Sequence, residues 1–241
     1  MKAPETFGIK LFVDAADLEN VSALKSNDLV KGFTTNPTLM RNAGVKDYIK
    51  FAKSIVSVAW PLQVSLEVIS DDIQEMEQQA LLLQKLGENV VVKIPITNTK
   101  GQSCIPLVAR LSREGISVNV TAIMTKSQID DSIDALSESR YGIVSIFAGR
   151  IADSGNNPEE YISYAISRLK SENVEILWAS PREIFNLVQA ENLGCHIITM
   201  TPDLWKKLPL IGKDLKQYSL ETVEMFYKDA SSAGYEIKQN T

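Results

Sequence analysis

The chain has 241 residues, 44% of them hydrophobic, with a formal charge of −5 at pH 7 and a pI near 5.1. That length holds one sizeable core, and the acidic balance, with basic residues scattered, argues against a nucleic-acid partner. One histidine (His196, expected to be structural) excludes His-based triads and His-rich metal sites, while Cys104 and Cys195 match no metal or disulfide spacing and read as core residues.

In chain order, apolar runs at Lys10–Val13, Gly32–Thr35 and Gln63–Val68 read as strands. Helical periodicity then runs over Ile73–Leu86 and stops at Gly87, where a C′ glycine belongs. Strands follow at Val90–Ile96, Ser117–Ile123, Gly142–Phe147, Val174–Ala179 and Cys195–Met200. Helices are expected near Pro158–Glu172, with proline in the first turn, and near Pro181–Glu191. A tail helix, Tyr218–Tyr235 (about 217–234), puts Leu220, Val223, Phe226 and Tyr227 on one side. It can fold back on its own barrel or dock on a neighbouring subunit. Eight strands alternating with helices mean a parallel sheet. The expected fold class is α/β, a single (β/α)₈ TIM barrel over residues 1–241 with an extra C-terminal helix. A doubly wound open sheet ranks second, because no Gly-x-Gly-x-x-Gly or P-loop pattern follows any strand. The start, Met1–Thr6, has no apolar leader region and no apolar stretch approaches ~18 residues. No membrane span is expected, and cytoplasm is the expected compartment.

Polar residues gather where such a barrel does its chemistry, at the C-terminal ends of strands. Asp14, Asn36, Glu67, Lys93, Asn119 with Thr121, Ser145 with Arg150, and Ser180 with Arg182 fall there in seven successive units. Lys93 interrupts the apolar run Val90–Ile96. An ammonium buried there is unfavourable, so a neutral, nucleophilic amine is one reading. Snorkelling to water or pairing with a carboxylate is the other. Asp14 is either a base or a cap for the helix opening at Asp17, and Asn36 before proline either a ligand or an Asx turn. Glu67 reads as a proton handler or as a structural partner of Lys93. Thr121 is either part of that water chemistry or a packing residue. Two arginines and a serine suit a phosphate, or else the arginines are solvated surface charges.

Seven motifs, in order, resemble the transaldolase family. They are Phe12-Val13-Asp14-Ala15-Ala16-Asp17, Gly32-Phe33-Thr34-Thr35-Asn36-Pro37-Thr38, Val64-Ser65-Leu66-Glu67-Val68, Val91-Val92-Lys93-Ile94-Pro95, Asn119-Val120-Thr121, Ser145-Ile146-Phe147-Ala148-Gly149-Arg150 and Ala179-Ser180-Pro181-Arg182. The resemblance implies a metal-free, cofactor-free class I aldolase barrel in which Lys93 forms a Schiff base with a ketose. It implies that Asp14 is the acid/base for C–C cleavage and that Glu67 and Thr121 activate water. Asn36, Asn119 and Ser145 would hold the dihydroxyacetone unit, and Arg150, Ser180 and Arg182 the phosphate of a sugar phosphate. The related fructose-6-phosphate aldolases typically carry Gln and Tyr where this chain has Glu67 and Phe147, so the resemblance favours transfer over release. Ile146, Ala148 and Pro181 depart from the family pattern, and Pro181 touches the presumed anion loop. The compact size resembles a subgroup of homo-oligomers, pentamers or decamers, in which the tail helix reaches a neighbour. Two readings without a Schiff base also fit the pocket: a phosphate-binding isomerase with Glu67 as base, and a non-catalytic sugar-phosphate-binding barrel.

Overall fold

The computed structural model describes residues 6–237, so the leader reading of Met1–Glu5 lies outside the described residues. Its first half runs β1 (Lys10–Asp14), α1 (Leu18–Leu24), β2 (Val30–Thr34), α2 (Pro37–Asn42), α3 (Tyr48–Ala59), β3 (Gln63–Glu67), α4 (Ile73–Gln84), β4 (Val90–Pro95) and α5 (Ile105–Arg113). The second half continues β5 (Val118–Ile123), α6 (Lys126–Leu136), β6 (Gly142–Ile146), α7 (Ala148–Asp153), α8 (Pro158–Arg168), β7 (Val174–Trp178), α9 (Phe185–Asn192), β8 (Ile197–Met200), α10 (Pro202–Trp205) and α11 (Leu215–Ser232). The strands pair in sequence order, all parallel, and β8 closes on β1. This is the expected (β/α)₈ barrel with an additional C-terminal helix.

Local chemistry starts the helices. Asp17, Asp47, Asp72 and Asp214 each accept a backbone N–H as N-cap of α1, α3, α4 and α11. Thr125 and Gln128 form a capping box on α6. Asp17 is thus its own cap, which leaves Asp14 out of that role. Three helical expectations need correction. α4 ends at Gln84 with Lys85 as C-cap, and Gly87 keeps a negative φ instead of the left-handed turn expected of it. α8 stops at Arg168, where Leu169 turns extended. α9 starts at Phe185, beyond Pro181 and Arg182, because the Asn186 side chain accepts the Arg182 and Glu183 N–H groups and holds that segment as a loop.

Alternation along each strand sends every second side chain into the lumen. The N-terminal end holds a polar layer, in which Glu175 accepts from Lys10 Nζ at 2.8 Å and from the Tyr141 hydroxyl at 2.6 Å. Above it Phe12, Val91, Ile143, Leu177 and Ile197 pack as an apolar layer. A Cβ on Gly32 would sit 2.6 Å from the Phe12 ring, so glycine at this point of β2 is what lets Phe12 fill the lumen. The second polar layer lies at the C-terminal mouth. Cys104 and Cys195 are buried and free, as expected of core residues. His196 has its neutral form favoured by burial, and its Nδ1 accepts the Ile176 N–H at 3.2 Å. Among the described residues no helix is long and apolar enough to cross a membrane.

The tail helix forms three residues earlier than its apolar pattern indicates, at Leu215 against Tyr218, because Asp214 caps it. None of its residues is buried, and Val223 and Phe226 are 60% and 63% exposed. Within this chain it does not fold back on the barrel.

Candidate active site

Strand register assembles the mouth. Glu67 on β3 lies level with Lys93 on β4, and Lys93 level with Asn119 on β5. Lys93 is 7% exposed. Its Nζ donates to the Thr35 carbonyl at 2.9 Å and lies 3.2 Å from Glu67 Oε2. Of the local readings, carboxylate pairing holds and snorkelling does not. The Tyr48 hydroxyl donates to the Glu67 carbonyl at 2.6 Å and fixes the end of β3. Burial, and then the charge of Glu67, push the Tyr48 hydroxyl well above its ordinary pKa, so it stays a donor.

Asp14 ends β1 between β2 and β8, and both neighbours address it. The Thr34 hydroxyl donates to Asp14 Oδ1, and the Thr199 hydroxyl lies within hydrogen-bond reach of the same oxygen at 3.3 Å and of the Thr34 hydroxyl. Enclosure by the barrel wall pushes the Asp14 carboxyl above its usual range. The Thr34 hydrogen bond, the nearby Lys93 charge and the Thr199 hydrogen bond oppose that rise without cancelling it. A carboxyl moved in this direction is, once ionised, a stronger base toward a hydroxyl proton.

On β5, Thr121 is buried and its hydroxyl has no hydrogen-bond partner. The residue after it, Ala122, has φ 64 at the point where the β5–β6 register shifts. A non-glycine residue in the left-handed region carries backbone strain, and such bulges recur beside active sites. Asn119 Nδ2 reaches Ser65 Oγ at 3.2 Å, and Ser145 Oγ donates to Asn119 Oδ1 at 2.7 Å, so β3, β5 and β6 share one polar chain. Asn36 caps α2 through Oδ1, accepting the Leu39 N–H at 2.9 Å, so the Asx reading is right for that oxygen. The rest of its amide still lines the cavity.

The rim beyond β6 and β7 is built by close backbone packing. A Cβ on Gly149 would meet the Ser180 carbonyl at 1.6 Å, and Ser180 itself has φ 59. α7 and the β7–α9 loop are therefore pressed together, with Arg150 and Arg182 at the edge. The Arg150 guanidinium stands 5.8 Å from the Phe147 ring centroid. Arg182 is engaged by Asp153, from Nε to Oδ1 at 3.1 Å and from Nη2 to Oδ2.

One cavity of about 450 Å³ gathers Asp14, Asn36, Glu67, Lys93, Asn119, Thr121, Ser145, Phe147, Arg150, Ser180 and Arg182. Every candidate catalytic and substrate-binding residue named from the sequence lines it. Thr34, Thr199 and Tyr48 were not singled out. Thr199 does carry a sequence signal, as a hydroxyl near the C-terminal end of the eighth apolar run. Among the described residues no group of three or more His, Cys, Asp or Glu side chains could hold a metal ion. Chemically the cavity offers an amine beside one carboxylate, a second carboxyl poised for proton exchange, an unpartnered hydroxyl, and a cationic rim.

The family described as Transaldolase/Fructose-6-phosphate aldolase matches residues 11–240. A protein of Thermoanaerobacter sp. (strain X514) named "Probable transaldolase" is 34% identical over 196 residues, covering 80% of this chain and 85% of its own. One of Methanococcus maripaludis (strain C7 / ATCC BAA-1331), with the same name, is 33% identical over 217 residues, covering 87% and 95%. Among solved structures, a dihydrodipicolinate synthase from Rhodopseudomonas palustris superposes with a TM-score of 0.54 at 17% identity, over 91% of this chain and 80% of its own. At that identity the likeness speaks to the fold alone.

Proposed function

Because the chain belongs to the transaldolase/fructose-6-phosphate aldolase family, we propose that it is a transaldolase that moves dihydroxyacetone from a ketose phosphate to an aldose phosphate. Fructose 6-phosphate and sedoheptulose 7-phosphate are the proposed donors, which places the reaction in the non-oxidative pentose phosphate pathway. The observation that carries this reading is the buried Lys93 amine, held by the Thr35 carbonyl and Glu67 in one cavity with Asp14.

Lys93 Nζ first passes a proton to Glu67, 3.2 Å away, and the neutral amine then adds to the ketone carbon. Loss of water leaves an iminium, and Glu67 with the free Thr121 hydroxyl handles that water. Asp14 then accepts the proton of the β-hydroxyl as the neighbouring C–C bond breaks. The bonding electrons pass to the iminium, giving an enamine, and the first aldose departs. The enamine attacks the carbonyl of the acceptor, Asp14 returns its proton to the new alkoxide, and water releases the product from Lys93. Asn36, Asn119 and Ser145 hold the three-carbon unit, and Arg150, Ser180 and Arg182 hold the phosphate.

Borohydride reduction in the presence of fructose 6-phosphate tests the covalent step. A stable three- or six-carbon mass adduct on Lys93 is expected; no adduct during turnover would point to an isomerase or binding barrel. Transfer is separated from cleavage by adding erythrose 4-phosphate. Little dihydroxyacetone should appear without this acceptor, and Phe147→Tyr should increase its release by supplying a phenol near the enamine. Free dihydroxyacetone formed by the unaltered chain at full rate without acceptor would make it an aldolase.

The assembly is proposed to be a homo-oligomer docked through α11, whose apolar side chains are exposed in the single chain. Phe226→Asp should lower the mass seen by light scattering while leaving the barrel folded; an unchanged mass would remove α11 from the interface.

A further inference from the structure

The Arg182–Asp153 pair is more than a surface ion pair. The two side chains are 48% and 54% exposed, and pairs in that setting add little to fold stability. Yet the geometry is two-pronged, with Nε at 3.1 Å from Oδ1 and Nη2 on Oδ2. Asp153 therefore takes the Nε–Nη2 edge of the guanidinium, which leaves Nη1 outside that pair. Arg182 lines the cavity and Asp153 does not. The scaffold under the pair is rigid, because Gly149 abuts the Ser180 carbonyl and Asn186 ties down the Arg182 and Glu183 N–H groups. Asp153 ends α7, so its carboxylate is fixed on the same element that carries Arg150.

We propose that Asp153 is a positioning residue that presents Nη1 of Arg182 to the anionic group of the substrate and so sets the preference for phosphorylated sugars. Two effects compete. The negative charge of Asp153 repels an incoming anion, but through solvent at the rim this repulsion is screened. Without Asp153 the long arginine must be ordered by the anion itself, and the lost rotamer freedom weakens binding. The second effect is the larger for a side chain this exposed.

The proposal rests on Arg182 as an anion ligand and not on the lysine chemistry, so inorganic phosphate is the probe. In calorimetric titration of the full chain, Asp153→Asn should weaken phosphate binding ~5–10-fold. Asp153→Glu, which keeps the carboxylate, should recover part of the loss, and the melting temperature without phosphate should not move. With fructose 6-phosphate, KM should rise by the same factor at unchanged kcat, while kinetics with unphosphorylated fructose stay as they are. Equal or tighter phosphate binding by Asp153→Asn would overturn the proposal, as would parallel losses on both sugars. Failure of the unaltered chain to bind phosphate would overturn it too, while borohydride trapping on Lys93 would still decide the covalent reading separately.

Discussion

Lys93→Met is expected to lower kcat/KM by at least about 10⁴-fold, or ~5.5 kcal/mol of transition-state stabilisation. Methionine fills similar volume but has no amine to add to a ketone, so every step after encounter is lost. The substitution also unpairs Glu67, which stands 3.2 Å from the amine. Leaving a partly buried carboxylate without its cation is destabilising, so the melting temperature should fall. Combining Lys93→Met with Glu67→Gln should restore the melting temperature and leave the activity lost. Steady-state kinetics and thermal unfolding on the three variants check this. Substantial turnover by Lys93→Met would remove the lysine from the chemistry, and a melting temperature that the double variant fails to recover would show the loss to be one of packing.

Asp14→Asn is expected to lower kcat by ~10²–10⁴-fold and at the same time to stabilise the fold at neutral pH. The stability gain follows from the raised pKa of the carboxyl, caused first by burial. A carboxyl raised in the folded state binds its proton more readily there than in the unfolded chain. Its contribution to stability is therefore full below the ordinary carboxylate pKa and is lost as pH rises through the higher folded value. An amide carries no such loss, so the variant should melt higher than the parent at pH 7 and above. As pH falls below about 4 the parent's carboxyl is protonated in both states and the difference should vanish. Unfolding curves from pH 3 to pH 8 measure it. A variant that loses stability at pH 7 would mean that the hydrogen bonds from Thr34 and Thr199 outweigh the burial of charge.

The barrel was legible in the sequence because the strands are buried on both faces over most of their length and so read as short apolar runs, as in Ile176–Ala179. The site was legible for the same reason in reverse: a polar group such as Lys93 stands out where hydrocarbon is the rule. Ends of elements were less so. Pro181 looks like a first-turn proline, yet α9 starts four residues later, because the Asn186 side chain accepts from Arg182 and Glu183 and holds the segment as a loop. Partnerships between strands were hidden, since they depend on register. The Thr34–Asp14–Thr199 cluster joins residues 185 apart in sequence at its widest span. The grip of Asp153 on Arg182 was hidden too, because a charge at the end of a short helix resembles any solvated surface group.

The hydrocarbon seal formed by Phe12 and its neighbours midway down the lumen turns the cavity into a cul-de-sac. Visitors come and go by one doorway. Under the proposed transfer the departing aldose must vacate that passage before its replacement can enter, and the three-carbon remnant waits tethered at the blind end. The order of events in such a reaction is then imposed by architecture as much as by bond-making.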